Sequence, residues 1–192
     1  MNFELLKSES FEINNWSGGT TTQLFIYPKT ANYIARNFKF RLSTAKVLAE
    51  KSDFTTLPNI HRKMMVLDGK ITLKHDNKRA KILEKFDCTA FEGFWNTSSV
   101  GTCTDFNLMS ADGVNGSISK ALILKSQYLD LPLDKTCQWQ FIYIYKGIVE
   151  TEIDSKKIVI NKGDLLVLTE FENQMLQLNA TENCELIFVN IF

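Results

Sequence analysis

Few residues in this 192-residue chain are able to do chemistry, and their spacing excludes most of what they could do. Cys88, Cys103, Cys137 and Cys184 form no CxxC pair, so neither a zinc knuckle nor a dithiol redox site is indicated. They read as reduced thiols, whose commonest fate is burial. The only histidines, His61 and His75, lie 14 residues apart on different strands of the reading given below. A general base must reach the proton it abstracts. The only candidates for an acid–base pair are His61 and Glu92, which stand at no characteristic spacing. One polar set does fall into register. Residues 38–47, FKFRLSTAKV, alternate strictly, with Phe38, Phe40 and Leu42 on one strand face and Arg41 and Ser43 on the other. If the apolar face packs between sheets, Arg41 and Ser43 either meet solvent or line a cavity.

The elements that must position these residues are organised around residues 57–73, LPNIHRKMMVLDGKITL. Met64, Met65, Val66 and Leu67 form a buried strand, Asp68-Gly69 a turn, and Ile71-Thr72-Leu73 a second strand, the pattern of a hairpin. Residues 139–151, WQFIYIYKGIVET, repeat that shape with Gly147 at the corner, 78 residues after Gly69. The repeat predicts two copies of one β unit.

Taken in order, residues 1–13 predict a first strand with a bend. Gly18-Gly19 permits a turn, and the strand from Thr20 to Tyr27 is stopped by Pro28. Residues 29–37 read as a polar loop. After the central unit, Asp76-Asn77 predicts a hairpin turn into Lys81-Ile82-Leu83, and Asp105 to Met109 a short strand. Asp112-Gly113-Val114-Asn115-Gly116 is the most linker-like segment. It predicts a first unit over residues 1–112 and a second over 113–192, the two sharing strands and core. Beyond it, short strands recur at residues 118–124, 139–145, 148–153, 158–160, 164–169, 175–178 and 186–191, with a turn at Asp154-Ser155. Such spacing implies an all-β sandwich or barrel, and no segment carries a capped helical period.

Charge adds little. Basic and acidic residues balance at 22 each, which argues against nucleic acid or an anionic membrane as partner. The cluster Lys78, Arg79, Lys81 reads as a solvated strand edge. No apolar run approaches a membrane span, and residues 1–13 lack a signal-peptide core, so the expected location is cytoplasmic.

Two β units of this shape, with a later Gly163-Asp164 turn, resemble the cupin barrel in a two-cupin chain. More specifically, NNWSGGTTTQ (14–23), FRLSTAKV (40–47), FTTLPNIHRKMMVLDG (54–69), FEG (91–93) and DFNLMS (105–110) resemble the HutD/Ves family. The resemblance covers about the first 110 residues by motif and the remainder by β pattern. The loop Ser17-Gly18-Gly19 is poorer in glycine and basic residues than its counterpart in that family. Cupins often hold a metal through two histidines and a glutamate near the first corner and a later histidine. Counted from Gly69, the glutamate place is Arg62 and the histidine places fall within residues 55–58. Counted from Gly147, the glutamate place is Gln140 and the histidine places fall within residues 133–136, while the last histidine place, counted from Gly163, is near Gln174. None of the places counted from Gly69 is a ligand, and no histidine stands at those counted from Gly147 or Gly163, so no metal or other cofactor is expected.

An arginine in place of a metal-binding carboxylate reverses the local charge and offers a fork of donors suited to carboxylates. With Arg62 and Arg41 facing one cavity, the hydroxyls of Thr21 and Ser43, the amides of Gln23 and Asn107 and the ring of Trp16 complete a ligand-binding set. The simpler readings are an ion-paired or exposed arginine, a Trp16 plug at the barrel end and an Asn107 that satisfies backbone. The resemblance implies a small organic acid as partner, since HutD members are associated with histidine breakdown and Ves members with cold and stress responses. The reading is a metal-free, carboxylate-binding metabolic sensor or regulator, with no catalytic residue assigned. Two alternatives stay open: a metal-independent cupin isomerase or hydrolase using His61 and Glu92, and an interaction protein whose outer β face makes a homodimer. The aromatic strip Phe141, Tyr143, Tyr145 reads as core or as that dimer face.

Overall fold

Alternating and continuous apolar runs become strands throughout the computed structural model, which describes residues 1–76 and 79–192. Asn77, in the expected hairpin turn, and Lys78, in the basic cluster, lie outside the described residues. The strands run β1 (Asn2–Leu6), β2 (Glu12–Trp16), β3 (Gly19–Tyr27), β4 (Phe40–Val47), β5 (Lys51–Asp53), β6 (Ile60–Gly69), β7 (Ile71–His75), β8 (Lys81–Leu83), β9 (Cys88–Glu92), β10 (Thr97–Val100) and β11 (Cys103–Ala111). They continue with β12 (Gly116–Ile123), β13 (Tyr128–Leu133), β14 (Trp139–Lys146), β15 (Val149–Ile153), β16 (Lys156–Ile160), β17 (Leu165–Thr169), β18 (Gln174–Ala180) and β19 (Cys184–Ile191). The one helical element among the described residues is a single 3-10 turn, Ser8–Ser10. No helix among them is long and apolar enough to cross a membrane.

The chain forms two compact units, Phe11–Val114 and Met1–Ser10 with Asn115–Phe192. The linear division at residue 112 leaves the first ten residues with the first unit. Instead β1 pairs antiparallel with β17, Phe3 opposite Leu168 and Leu5 opposite Leu166, and completes the sheet β1-β17-β14-β19-β12. The Asp164 carboxylate fixes this attachment, accepting from Lys7 Nζ (2.9 Å) and from the backbone N–H groups of Ser8 and Asn161 (3.0 Å each). Residues 1–13 are thus two strands in different sheets, separated by the 3-10 turn.

In the unit Phe11–Val114, a six-stranded antiparallel sheet, β2-β3-β4-β11-β6-β9, accompanies a four-stranded one, β5-β10-β7-β8. Neither glycine corner closes a hairpin. β6 and β7 belong to different sheets, as do β14 and β15, so the chain at Gly69 and at Gly147 passes from one sheet to the other. The stereochemistry of the two corners is the same. Gly69 has φ +82° and Gly147 φ +85°, and each packs against backbone arriving on the neighbouring strand. A Cβ on Gly147 would stand 2.7 Å from the Asn183 carbonyl oxygen and 3.0 Å from Cys184 Cα. Gly147→Ala is therefore expected to cost at least about 2 kcal/mol, read as a lower urea midpoint, whereas a neutral result would show that the corner can relax.

The interiors differ. In the unit containing β12–β19, Ile142, Ile144, Leu166, Leu168, Leu186 and Phe188 meet Val149, Ile153, Ile160, Leu176 and Leu178 in an aliphatic core. In the other unit Val47, Met64, Val66, Ile71, Leu73, Leu83, Phe91 and Cys103 form one apolar cluster, and Phe38, Leu57, Ile60 and Met109 another. The six-stranded sheet also turns Arg41, Ser43, Arg62, Asp105 and Asn107 inward, beside the apolar Ala45 and Met109.

Candidate functional site

Strand alternation builds the floor of a cavity of about 600 Å³ inside the unit Phe11–Val114. β4, β11 and β6 are adjacent central strands, and their facing residues form rows. Arg41 and Arg62 flank Met109, Ser43 and Met64 flank Asn107, and Ala45 and Val66 flank Asp105. Both faces of β4 are buried, with Phe40 and Leu42 on the opposite side from Arg41 and Ser43. The question left open by the alternation is answered: Arg41 and Ser43 line the cavity.

The structure brings all seven singled-out residues, Trp16, Thr21, Gln23, Arg41, Ser43, Arg62 and Asn107, to this one cavity. Their situations differ. Arg41 Nε donates to Gln23 Oε1 (2.8 Å) and Nη1 to Ser43 Oγ (3.1 Å), while the guanidinium carbon lies 4.5 Å from the Tyr33 ring centre. Thr21 stands on half-buried β3 beside Ala45. Trp16 is 38% exposed at the rim, its ring lying where a side chain on Gly18 would go. Gly18 therefore leaves room for the indole.

Arg62 is the anomaly. It is 6% exposed, and its guanidinium carbon sits 4.8 Å and 5.2 Å from the ring centres of Phe54 and Phe91. Its Nε is buried with no hydrogen-bond partner. Among the described residues neither arginine forms an ion pair. Burial pushes the Arg62 pKa down to about 10, with Tyr33 and Asp105 raising it and Arg41 lowering it further. Burial also lowers that of Arg41, against the influence of Tyr33. Each guanidinium lies on an aromatic face, a contact that stabilises it only in part.

Asp105, 2% exposed, is the buried counter-charge. Its carboxylate accepts from Asn107 Nδ2 and, weakly at 3.7 Å, from the Cys103 thiol. Burial raises its pKa to about 6, against the pull of Asn107, Arg62 and Cys103. Two guanidiniums and one carboxylate leave the cavity floor with an excess of positive charge. The other charged lining residues, Glu12, Lys29 and Asp53, are solvent-exposed, where screening weakens them.

Asp105, Tyr33 and Phe54 were not singled out from sequence. Asp105 shares the alternation of Asn107 two residues on, so a signal existed. Tyr33 had none: it lies in the loop after Pro28, where Asn37 Oδ1 accepts from the Asn32 N–H and Asn32 Oδ1 from the Ile34 N–H, both at 2.8 Å. Those bonds set the loop that lays Tyr33 over Arg41.

His61 points elsewhere. Its Nδ1 contacts Glu92 Oε2 at 2.8 Å and its Nε2 Asp112 Oδ1 at 3.1 Å, on an exposed surface that does not line the cavity. His75 is buried between Phe91 and Trp95, with Nδ1 2.9 Å from Thr97 Oγ1. The cavity does not fit a cupin metal, because two cationic forks face one carboxylate. Among the described residues no three His, Cys, Asp or Glu side chains converge to hold an ion. Gln140, the counterpart of Arg62 in the other unit, is buried with Oε1 unpartnered.

The profile of a family described as HutD matches residues 8–188. No curated protein matches the chain in sequence. A conserved protein of unknown function from Pseudomonas aeruginosa PAO1 superimposes with a TM-score of 0.84 at 19% identity, over 100% of this chain and 99% of that one. HutD from Pseudomonas fluorescens SBW25, in a formate condition, superimposes with a TM-score of 0.69 at 19% identity, over the whole of both chains. The oxalate decarboxylase–formate complex of Lactobacillus farciminis gives 0.70 at 9% identity, over 98% of this chain and 85% of that one. At these identities the likeness is one of fold, the all-β, two-cupin arrangement.

Proposed function

Because the chain belongs to the HutD family, we propose that it binds a small carboxylate in the cavity of the unit Phe11–Val114 and acts as a metabolic sensor or regulator rather than a catalyst. One observation carries the reading: the Arg62 side chain is buried at the cavity, its Nε has no hydrogen-bond partner, and among the described residues it forms no ion pair. A buried charge is tolerated when a partner neutralises it, and a carboxylate matches the guanidinium fork with two parallel, charge-assisted hydrogen bonds. Arg41 still has Nη2 to offer, because among the described residues only its Nε and Nη1 are engaged. The rings of Tyr33, Phe54 and Trp16 wall a space of the size that takes a metabolite. Two of the similar structures are described with formate, the smallest carboxylate.

The His61–Glu92 pair, the candidate for acid–base work, is outside the cavity with both ring nitrogens engaged, so catalysis is the weaker reading. A thermal-shift screen against small carboxylates, led by urocanate, N-formylglutamate and glutamate, tests the proposal. A ligand at a hundred times its dissociation constant adds about 2.7 kcal/mol, which raises the melting temperature by roughly 5 to 10 °C for a chain of this size. That shift should vanish in Arg41→Ala and in Arg62→Ala, each compared with its own unliganded protein. No shift with any carboxylate would end the proposal.

A further inference from the structure

Binding through the two arginines leaves one buried titratable group of the cavity without a task. Asp105 lines the cavity on β11, 2% exposed, between Ala45 of β4 and Val66 of β6. Neither guanidinium bonds to it among the described residues, and its hydrogen bonds come from its own strand, from Asn107 Nδ2 and the Cys103 thiol. It is still within electrical reach of Arg62. Each acts on the other's proton affinity, Asp105 raising that of Arg62 and Arg62 lowering that of Asp105. A charge seated on Arg62 is therefore felt at Asp105, through an interior where charges interact more strongly than in water. An incoming carboxylate has the same sign as ionised Asp105. It cancels part of the positive potential that keeps Asp105 ionised and adds a repulsion of its own. Burial already pushes the Asp105 pKa up to about 6, so protonation falls within an ordinary pH range.

We propose that Asp105 couples the cavity to pH: a carboxylate on Arg62 and Arg41 and a proton on Asp105 favour one another, so that anion binding tightens as pH falls. The inference rests on the carboxylate reading above and adds its regulation. Coupling of this kind is reciprocal, so the bound anion also draws a proton onto Asp105. The other ionisable groups around the cavity are Arg62 from β6, Arg41 from β4, Tyr33 from the loop after Pro28, and the exposed Glu12, Lys29 and Asp53. Cys103 adds a thiol on β11. Arg62, near a pKa of 10, and Cys103, pushed up to about 12 by burial and by Asp105, keep their charge states between pH 5.5 and 8. His75 of β7 is the rival source of a pH effect, because it packs against the same Phe91 ring that faces Arg62.

Formate is the probe, since its own carboxyl stays ionised from pH 5.5 to pH 8. Titrations followed by the protein's NMR spectrum should give wild type a Kd at least about threefold lower at pH 5.5 than at pH 8. In Asp105→Asn the Kd should be the same at both, and no weaker than that of wild type at pH 5.5. A second measurement needs no variant: the side-chain carboxyl carbon resonance of Asp105 should titrate at higher pH in saturating formate than without it. Equal wild-type Kd values at the two pH values, with an unmoved Asp105 titration, would overturn the coupling and leave the carboxylate reading standing. A pH dependence that persists in Asp105→Asn would assign it to another group, His75 first, and would also overturn the coupling. Formate binding that Arg62→Met leaves intact, or no binding by wild type at either pH, would overturn both readings.

Discussion

Arg62→Met should melt at a higher temperature than wild type in the absence of ligand and should show no carboxylate-induced shift. Burial holds the Arg62 guanidinium near a pKa of 10, well below the ordinary arginine value. Since one pKa step corresponds to about 1.4 kcal/mol, keeping this group charged in the folded protein costs about 3 kcal/mol at neutral pH. Among the described residues no hydrogen-bond partner meets its buried Nε. Methionine keeps an unbranched apolar stem against Phe54 and Phe91 and carries no charge to desolvate. Part of the gain is lost, because Arg62 helps to hold the neighbouring Asp105 ionised. The net expectation is about 2 kcal/mol of added stability, roughly 4 to 8 °C in melting temperature. Replacing buried ionic groups by well-packed apolar ones of similar volume often has this outcome. The penalty is present at every pH below about 10 and fades as the arginine loses its proton above that value. A variant less stable than wild type at pH 7.5 would mean that the guanidinium is satisfied within the protein, and would remove the argument for an anion.

Asp105→Asn should also stabilise the protein, but only where the carboxyl is ionised. Its pKa is raised from 3.8 to about 6 by burial. Between those values the folded state binds a proton that the unfolded state has released, so this group makes stability fall as pH rises from about 4 to about 6. Above that window the full cost of the buried charge is present, on the order of 3 kcal/mol. Asparagine has no such charge and retains an oxygen to accept from Asn107. The variant should exceed wild type by about 2 to 3 kcal/mol at pH 7.5 and by little at pH 4, measured by urea unfolding at both. A difference that stays constant across that range would show that Asp105 does not titrate there.

Much of the architecture is local and was open to reading. The strand from Thr20 to Tyr27 ends at Pro28, the run from Phe40 to Val47 alternates, and Asp154-Ser155 turns with positive φ at both residues. Each is a property of neighbours: a ring that cannot donate, a side-chain period of two, a backbone that reverses on loop-forming residues. The candidate set could be assembled for the same reason. Alternation separates Arg41 and Ser43 from Phe40 and Leu42 before any fold is known.

Other features depend on what meets what across the chain. β1 lies on β17 because its apolar residues and the Asp164 carboxylate find each other over more than 150 residues, and no local signal names that partner. Gly69 and Gly147 were visible as corners, but a positive φ is equally compatible with a hairpin and with a change of sheet. The choice follows from packing β7 into the opposite sheet. Tyr33 reaches Arg41 only through the closure of its own loop. Above all, charge at a position is written in the sequence, while its energy is not. Arg62 could have been a solvated surface arginine. It becomes the basis of the proposed anion site because the fold removes water from its Nε and supplies aromatic rings beside it, and desolvation of that kind exists only once β6, β11 and β4 are side by side.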